Sequence, residues 1–286
     1  MRLEVLREFD PWKGDLCTCP KKYSLQPYTG CSFMCLYCYA TAYIGRRPSE
    51  PKKRFLERLE RDLRKADRER VVNLSTSSDP YPIIEKKYLL TRNAIRLLSL
   101  HDFKILITTK GSLVARDKDL LSKSRAAVMI TITTLDASLA REIEPGAPSP
   151  LERLKALKEL SEAGVPVGIR LDPIIPGVND DSKELEEIVF RAAEAGAKHV
   201  VTSTYKAKPD NLKRMTEKFP HLKSLYSKGV KVGRYKYLPK GVREKMLRPV
   251  VKAAEEVGMT WAFCREGFPF KAPSCDGSHL IPNRKP

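Results

Sequence analysis

The stretch QPYTGCSFMCLYCYA, residues 26–40, places three cysteines in one short loop: Cys31, Cys35 and Cys38. An iron–sulfur cube is normally held by four cysteines. Three thiolates with the spacing C-x3-C-x2-C therefore indicate a cube in which one iron is open to another ligand. A zinc knuckle and three unconnected thiols are the alternatives. Zinc usually takes four ligands in a closed site, and no fourth Cys or His lies within a few residues of the loop.

The length and composition predict one large domain, or one domain with a small appendage, because 42% of the 286 residues are apolar. The start, MRLEVLREFDPWKGD, carries charges where a signal peptide has an apolar run. No stretch approaches the roughly 18 apolar residues that span a bilayer. We therefore expect a cytoplasmic protein. Thiols stay reduced in that compartment, so the seven cysteines indicate metal ligands rather than disulfides.

The formal net charge of +18 is unevenly distributed along the chain. Residues 206–252 contain fifteen Lys or Arg and three acids, a surplus of 15 − 3 = +12. Aromatic residues accompany this segment: Tyr205, Phe219, Tyr226, Tyr235 and Tyr237. Basic surface with rings that can stack on bases predicts a nucleic-acid partner. The charged surface of a thermophilic protein is the alternative, although such surfaces usually balance the two signs.

Short β-branched runs alternate with amphipathic stretches over most of the chain. The runs predict strands at 23–26, 71–75, 104–109, 127–133, 165–171, 198–203 and 260–263. The amphipathic stretches predict helices at 54–66, 91–100, 116–124, 150–163, 181–195 and 241–257. Repeated βα units of this length predict a parallel sheet with right-handed crossovers.

Polar residues follow the predicted strands at their carboxyl ends, where the chemistry of parallel barrels collects. These ends read STSSDPYP at 75–82, TTK at 108–110, TITTLD at 131–136 and RLDPIIPG at 170–177. With YTGC and YCYA around the cysteines, the series resembles the spore photoproduct lyase-like branch of the radical SAM superfamily, in an archaeal-type subgroup with extra cysteines. The similarity runs from about residue 23 to about residue 196.

The resemblance implies an α/β fold, the open partial (β/α)6 TIM-type barrel of radical SAM enzymes, with a basic C-terminal extension. We expect an N-terminal segment at 1–22, the barrel at 23–205 and the extension at 206–286. The resemblance also implies a [4Fe-4S] cluster on Cys31, Cys35 and Cys38. S-adenosylmethionine (SAM) would bind the open iron through its amino and carboxylate groups.

Further site residues follow from the resemblance. Ser77, Lys110 and Thr131 occupy positions of polar contacts to SAM in the lyases, and a cationic Lys110 suits the SAM carboxylate. Arg170 is a second candidate for the same end of the cofactor. Tyr37 occupies the position of a ring that packs beside the adenine. Ser77 and Thr131 as helix caps, and Arg170 as a structural ion-pair partner, are the alternatives.

Two tyrosines and one threonine concern the reaction itself. Tyr37 and Tyr39 match tyrosines that the lyases keep beside the cluster loop, where they are implicated in passing hydrogen or radical character. Thr76 departs from the family pattern, because lesion-repairing members use a cysteine there as a hydrogen-atom donor. A hydroxyl group donates hydrogen atoms far less readily than a thiol. The fold and cofactors are therefore expected to transfer from the family, whereas thymine-dimer repair is not.

The four remaining cysteines equal one complete metal site. Cys17 and Cys19 precede the cluster loop, and Cys264 and Cys275 lie near the C-terminus. If the two segments meet across the barrel mouth, the four thiols would bind an auxiliary Fe–S cluster or a structural zinc ion. Asp276 and His279 are spare ligand candidates, and buried unligated thiols are the alternative.

Three functions are consistent with these features. The first is a radical SAM enzyme that generates a 5′-deoxyadenosyl radical and abstracts hydrogen from a nucleic acid, in RNA or tRNA base modification or in DNA lesion processing. Such an enzyme needs an external one-electron donor and no membrane. The second is a radical SAM enzyme that acts on a peptide or small metabolite. The third is a non-catalytic, metal-stabilised nucleic-acid-binding protein.

Overall fold

The structure, a computed structural model, describes residues 3–9, 16–74 and 76–284. Its strands are β1 (Arg7–Phe9), β2 (Lys22–Leu25), β3 (Tyr28–Thr29), β4 (Glu50–Pro51), β5 (Val71–Leu74), β6 (Ile105–Thr109), β7 (Ala126–Thr131), β8 (Val167–Ile174), β9 (His199–Thr204), β10 (Val230–Val232), β11 (Tyr235–Tyr237) and β12 (Thr260–Phe263). Its helices are α1 (Thr41–Ile44), α2 (Phe55–Leu63), α3 (Glu85–Tyr88), α4 (Leu90–Leu100), α5 (Lys118–Leu121), α6 (Ala137–Ile143), α7 (Pro150–Glu162), α8 (Ser182–Glu194), α9 (Pro209–Lys218), α10 (His221–Ser227) and α11 (Lys240–Glu256). Two 3₁₀ segments cover Ser112–Asp117 and Ser278–Leu280.

The main sheet has eight strands in the order β1-β2-β5-β6-β7-β8-β9-β12. Only β1 pairs antiparallel; the other neighbours are parallel. One crossover with at least one helix joins each parallel strand to the next, so six βα units precede β12. This architecture confirms the predicted α/β fold, an open partial (β/α)6 barrel. Each predicted strand and helix is present with its ends shifted by at most three residues, and Ser75 lies outside the described residues.

The sheet strands are buried on both faces, as parallel strands between helices must be. All six residues of β7 are buried. Helices begin at side-chain caps that the sequence supplies. Ser149 and Glu152 form a capping box at α7, and Asp181 accepts the backbone N–H of Glu184 at α8. These caps fix where the crossover helices start over the sheet.

The C-terminal segment fills the interior of the sheet. Ile281 joins a buried cluster with Leu106, Met129 and Val201, which belong to three strands. Gly277 approaches Met129 so closely that a Cβ on the glycine would lie 2.4 Å from the Met129 sulfur. Strand β12 pairs with β9 in the same sheet. The division of the chain at residue 205 stays a prediction.

Candidate active site

A cavity of about 250 Å³ lies at the carboxyl edge of the parallel strands. Residues at or just beyond the ends of six strands line it: Ser77 after β5, Lys110 after β6, Thr131 in β7, Arg170 in β8, Ser203 in β9 and Cys264 after β12. Cys31, Cys35, Cys38, Tyr37 and Tyr39 line the same cavity. The structure therefore brings together every residue that the sequence assigned to the cluster, to SAM or to hydrogen transfer.

The cysteine loop is held in a tight conformation by backbone contacts. The short ladder between β3 and β4 closes its base, and the Cys31 N–H donates to the Arg47 carbonyl at 2.9 Å. Gly30 has φ +72, and a Cβ there would lie 2.1 Å from the Pro48 carbonyl oxygen. A Cβ on Gly146 would likewise lie 2.1 Å from the Ser32 carbonyl oxygen. No residue with a side chain fits at either glycine without displacing the loop.

The three thiols suit metal ligation. Cys35 is buried, and Cys31 and Cys38 are half-buried. Burial raises the pKa of Cys31 to about 11. Burial also raises the pKa of Cys35 above its usual value, against the opposing effect of Lys110. Thiolates at this depth need positive charge beside them, which bound iron supplies. The donor set and its surroundings thus fit a cluster with three cysteine ligands.

A buried network of charges lies behind the loop. The Tyr37 hydroxyl donates to Glu144, and Thr133 Oγ1 donates to the same carboxylate at 3.0 Å. Arg153 pairs with Glu144 at 2.5 Å, and both side chains are about 1% exposed. Burial opposes the charge of Glu144, but Arg153 and Lys110 hold its pKa below the usual value. The network fixes the position of the Tyr37 ring in the cavity.

Lys110 is a half-buried cation that lies near both this network and the cysteines. Its Nζ lies 5.3 Å from the centroid of the Tyr37 ring. Burial works against the charge, but Cys35 and Glu144 raise the pKa of Lys110. Asp79, also in the cavity wall, accepts the Lys110 backbone N–H at 2.8 Å and so fixes the start of the loop after β6. Among the described residues, the Lys110 ammonium has no hydrogen-bonded acid.

Arg170 also lines the cavity, where its side chain has partners within the protein. Its guanidinium pairs with Asp172 at 2.5 Å and also donates to the Cys264 thiol. Asp172 in turn accepts a hydrogen bond from Ser203. The pair with Asp172 is consistent with the alternative prediction, that Arg170 is a structural ion-pair partner. Its role toward SAM stays a prediction.

Thr76 contacts other polar side chains where the repair enzymes have a cysteine. Its hydroxyl lies 2.6 Å from the Ser24 hydroxyl and 2.8 Å from the side-chain amide of Gln26, whose oxygen accepts a hydrogen bond from it. Ser77 and Thr131 border the cavity, and the Thr131 carbonyl accepts a hydrogen bond from Arg153 at 3.1 Å. Neither residue is an N-cap in the described helices. Their contacts to SAM stay a prediction.

A larger groove of about 1320 Å³ adjoins the cavity and shares several lining residues with it, including Thr76, Ser77 and Arg265. Seven cations line the groove: Arg7, Arg47, Lys52, Lys208, Arg234, Arg243 and Arg265. Five aromatic residues border the groove; Phe9 and Tyr43 are at least partly exposed, whereas Tyr28, Tyr235 and Tyr237 are buried. Among the described lining residues Glu8 is the single acid. A polyanion in this groove would meet an electropositive surface at the cavity mouth.

The prediction about the aromatic residues of the basic segment needs correction. Tyr205 and Tyr226 pack edge to face, 5.2 Å apart, and Tyr237 is also fully buried. These rings belong to the core because α9, α10 and β11 fold back onto the end of the sheet. They are not available to stack on bases. The basic charge itself is at the surface, since eleven of the fifteen Lys and Arg in residues 206–252 are exposed.

The remaining cysteines gather near one another at the same cavity. Cys17, Cys19 and Cys264 line the cavity. The sulfur atoms of Cys19 and Cys275 are 3.6 Å apart, and Cys17 also contacts Cys19. Asp276 pairs with Lys22, whereas His279 contacts Ser274 and Thr260. Within the described ranges, no three His, Cys, Asp or Glu side chains are close enough to share one metal ion as they stand.

Sequence reasoning missed Asp79, which lines the cavity, and the buried Glu144–Arg153 pair behind it. Asp79 lies within a strand-end segment that the sequence did single out, so its position was a usable signal. Glu144 and Arg153 carry no such signal, because their burial depends on how α7 packs.

The helices in the described residues include none that is long and apolar enough to cross a membrane.

A family model described as the radical SAM superfamily matches residues 25–192, more than half of the chain. An uncharacterized protein from Mycobacterium tuberculosis is 29% identical over 193 residues. The match covers 62% of this chain and 57% of that protein, so the chain spans little more than half the length of this relative.

Two solved structures share the fold. A variant of spore photoproduct lyase with bound AdoMet and dinucleoside spore photoproduct has a TM-score of 0.68 and 17% identity, over 90% of this chain and 80% of that chain. Streptococcus suis SuiB bound to precursor peptide SuiA has a TM-score of 0.57 and 17% identity, over 84% of this chain and 47% of that chain. At these identities the likeness concerns the architecture alone, which is the partial barrel described above.

Proposed function

This chain belongs to the radical SAM superfamily, and we propose that its substrate is a nucleic acid. Membership makes it an enzyme with a [4Fe-4S] cluster and SAM as cofactors, rather than a non-catalytic binding protein. The observation that carries the substrate proposal is the groove that opens onto the cavity of the cluster cysteines. Seven cations and one acid line it, and one of the cations, Arg243, is buried and paired with Glu266. Spore photoproduct lyase, which shares the fold, was solved with a dinucleoside substrate.

We assign the cofactor contacts as follows. Cys31, Cys35 and Cys38 bind three irons of the cluster, and Lys110 pairs with the SAM carboxylate. Lys110 supports this assignment because it is a half-buried cation in the cavity wall, beside the cysteines, and its ammonium lacks a hydrogen-bonded acid in the described part of the chain. Ser77 and Thr131 add polar contacts, and the Tyr37 ring packs beside the adenine.

When bound, a reduced cluster would supply the one electron that splits SAM into methionine and a 5′-deoxyadenosyl radical, the species that would abstract hydrogen from an unactivated C–H bond. The protein must orient the substrate and exclude water and stray hydrogen donors. The hydrogen bond of Tyr37 to Glu144 fixes that phenol in the wall. Tyr39 lies at the rim, where Lys208 is 5.9 Å from its ring, and is the tyrosine nearer to an incoming base.

Nucleic acid lying in the groove would place its phosphates against these cations and one extruded nucleoside in the cavity, because duplex stacking blocks access to a base. Thr76 sits at the junction of groove and cavity with a hydroxyl group. Repair that depends on a thiol at that position is therefore not the proposed reaction. Modification of a base in RNA, including tRNA, and processing of a DNA lesion by another route are both within the proposal.

The first test measures affinity for total tRNA and for single-stranded DNA between 50 and 200 mM salt. Six to ten phosphate contacts would weaken binding about 10³- to 10⁵-fold over that range. The double variant Arg47→Glu, Arg234→Glu should weaken binding at least about tenfold and reduce the salt slope by about one for each lost contact. Lys183→Glu on α8, an exposed cation that does not line the groove, is the matched control.

Salt-insensitive binding, or equal losses in the groove variant and the control, would overturn the nucleic-acid proposal. Short peptides are the comparison ligands, because the SuiB structure contains a precursor peptide. Release of 5′-deoxyadenosine from SAM with dithionite reports the radical chemistry independently. Mass spectrometry of cellular nucleosides, with and without the gene, would then identify the modified nucleoside.

A further inference from the structure

The two ends of the described chain meet in the cavity wall through their cysteines. Cys19 and Cys275 are 256 positions apart in sequence, yet their sulfur atoms are 3.6 Å apart. Cys17 contacts Cys19, and Cys264 lines the cavity beside them. All four are free thiols. The four cysteines that the radical SAM loop does not use therefore lie on one wall.

We propose that Cys17, Cys19, Cys264 and Cys275 bind a second metal centre in this wall, either an iron–sulfur cluster or a zinc ion. Both centres use the same donor chemistry, four thiolates in a reducing compartment. The Cys19–Cys275 separation is close to the edge of a tetrahedral thiolate site, about 3.8 Å for metal–sulfur bonds of about 2.3 Å. It is far longer than the bond of about 2.05 Å in a disulfide.

The spread of the four thiols bears on which metal is bound. Cys19 contacts Cys17 and Cys275, whereas the neighbours of Cys264 include Arg170, Asp172 and Lys206. A single zinc ion would require Cys264 to turn from Arg170 toward Cys19. A cluster offers a separate iron to each cysteine and so accepts a wider spacing.

The surroundings of the thiols suit a centre with net negative charge. A buried anionic group needs cations or hydrogen-bond donors nearby. Lys22 is 2% exposed and lies beside Cys19 and Cys275, where it also pairs with Asp276. Arg170 donates to Cys264, and Lys206 is close to the same thiol. Each part of the thiol group therefore has a buried or half-buried cation next to it.

The packing around the thiols is built from both chain ends. A Cβ on Gly267 would lie 2.9 Å from the Leu16 side chain, so residues 16 and 267 are in close contact. The Lys22–Asp276 pair forms a second link beside Cys275. A metal centre here would bind the N-terminal segment to β12 and close the wall that faces the cysteine loop. This inference does not depend on the nature of the substrate.

The test compares anaerobically purified wild type with two variants. C31A/C35A/C38A removes the radical SAM cysteines, and C17A/C19A/C264A/C275A removes the second set. We expect the first variant to retain bound metal and the second to lose that metal while still forming a cluster whose EPR signal responds to SAM. Iron with matching acid-labile sulfide identifies a cluster, and about one zinc per chain identifies a zinc site. Ser274→Ala, next to Cys275, is the control that should keep the metal.

Absence of both iron and zinc from C31A/C35A/C38A would overturn the second centre, provided that its circular dichroism matches that of the wild type. If neither variant folds, the iron and zinc content of the wild type decides whether a second centre is present. About four irons per chain without zinc would leave only the first cluster. A Cys19–Cys275 disulfide in wild-type protein isolated anaerobically, detected by mass spectrometry without prior removal of metal, would also overturn the proposal.

Discussion

Glu144 carries more buried interactions than any residue that the sequence singled out in the cavity wall. It accepts hydrogen bonds from Tyr37 and Thr133 and pairs with Arg153, all below the protein surface. Replacing one member of such a pair leaves the other charge buried without compensation. Glu144 therefore controls both the stability of the fold and the position of the Tyr37 ring.

We expect Glu144→Gln to lower the free energy of unfolding by about 3–5 kcal/mol, because Arg153 loses its buried counter-charge. Urea unfolding followed by circular dichroism measures this loss. Glu142→Gln is the matched control two positions earlier, since Glu142 pairs with Lys218 at the partly exposed surface. Such a pair contributes at most about 1 kcal/mol. Equal losses in the two variants would contradict the role given to Glu144.

Individual site residues differ in how well the sequence reveals them. The cysteines of the loop and the polar residues at strand ends are visible because spacing and order along the chain locate them. Glu144 and Arg153 are not visible, since nothing local in EIEPG or in the first turn of α7 indicates that these charges are buried. Their environment is created by packing between segments that the sequence does not place in contact.

Elements of the barrel were predictable to the extent that their pattern is periodic. Strands β5 to β9 read as short apolar runs because both faces of the sheet are covered. The β10–β11 hairpin and helices α9 and α10 were not predicted, because their many lysines dominate the local pattern. Tyr237 in β11 is buried, so the surplus of positive charge in this segment did not reveal which of its aromatic side chains are exposed.

Strand β8 contains a position where only glycine fits. A Cβ on Gly168 would lie 2.7 Å from both the His199 carbonyl oxygen and the Met129 sulfur. The carbonyl belongs to the neighbouring strand β9 and cannot move without disturbing the ladder. We expect Gly168→Ala to destabilise the protein by about 1–3 kcal/mol in thermal or urea unfolding.

Gly241 in α11 provides the comparison for this substitution. Nothing lies within 4 Å of a Cβ built on Gly241. Gly241→Ala should be neutral or stabilise the helix by up to about 1 kcal/mol. If the two alanine variants were equally stable, the close approach at β8 would not be a real constraint on the sheet.

At the scale of the whole molecule, the C-terminal segment fills the sheet interior and brings His279 against His199 in β9. The two rings are 4.7 Å apart, and the His199 side chain is fully buried. Burial, reinforced by His279, lowers the pKa of His199 to about 4. Burial likewise lowers the pKa of His279, although Asp276 opposes the effect. Protonation of this region therefore disfavours the folded chain.

The sign of the pH effect follows from that shift. An unfolded histidine has a pKa of about 6.5. As the pH falls from 6.5 toward 4, the unfolded chain binds a proton at His199 that the folded chain does not, so stability falls. The contribution of His199 is at most on the order of 3 kcal/mol. We expect unfolding free energies at pH 7 and 4.5 to differ less in His199→Gln than in wild type.

His101→Gln, at the end of α4, is the control for this comparison and should keep the pH dependence of the wild type. A His199→Gln variant with an unchanged difference between pH 7 and 4.5 would assign the acid sensitivity to other groups. Thr260, which contacts the His199 ring at 2.9 Å, and Asp276 are the polar neighbours that bear on the outcome.

The contact between Cys19 and Cys275 has a consequence for biosynthesis. The wall of the cavity that contains Cys19 and Cys275 cannot form until residue 275 has left the ribosome, because Cys19 is synthesised 256 positions earlier. The cysteine loop at 31–38 leaves the ribosome much earlier. During most of translation it therefore lacks the part of the cavity that Cys264 and Cys275 contribute to. In the order of synthesis, therefore, the thiols of the loop are made well before Cys275, and the wall that contains Cys275 is the last part of the cavity to form.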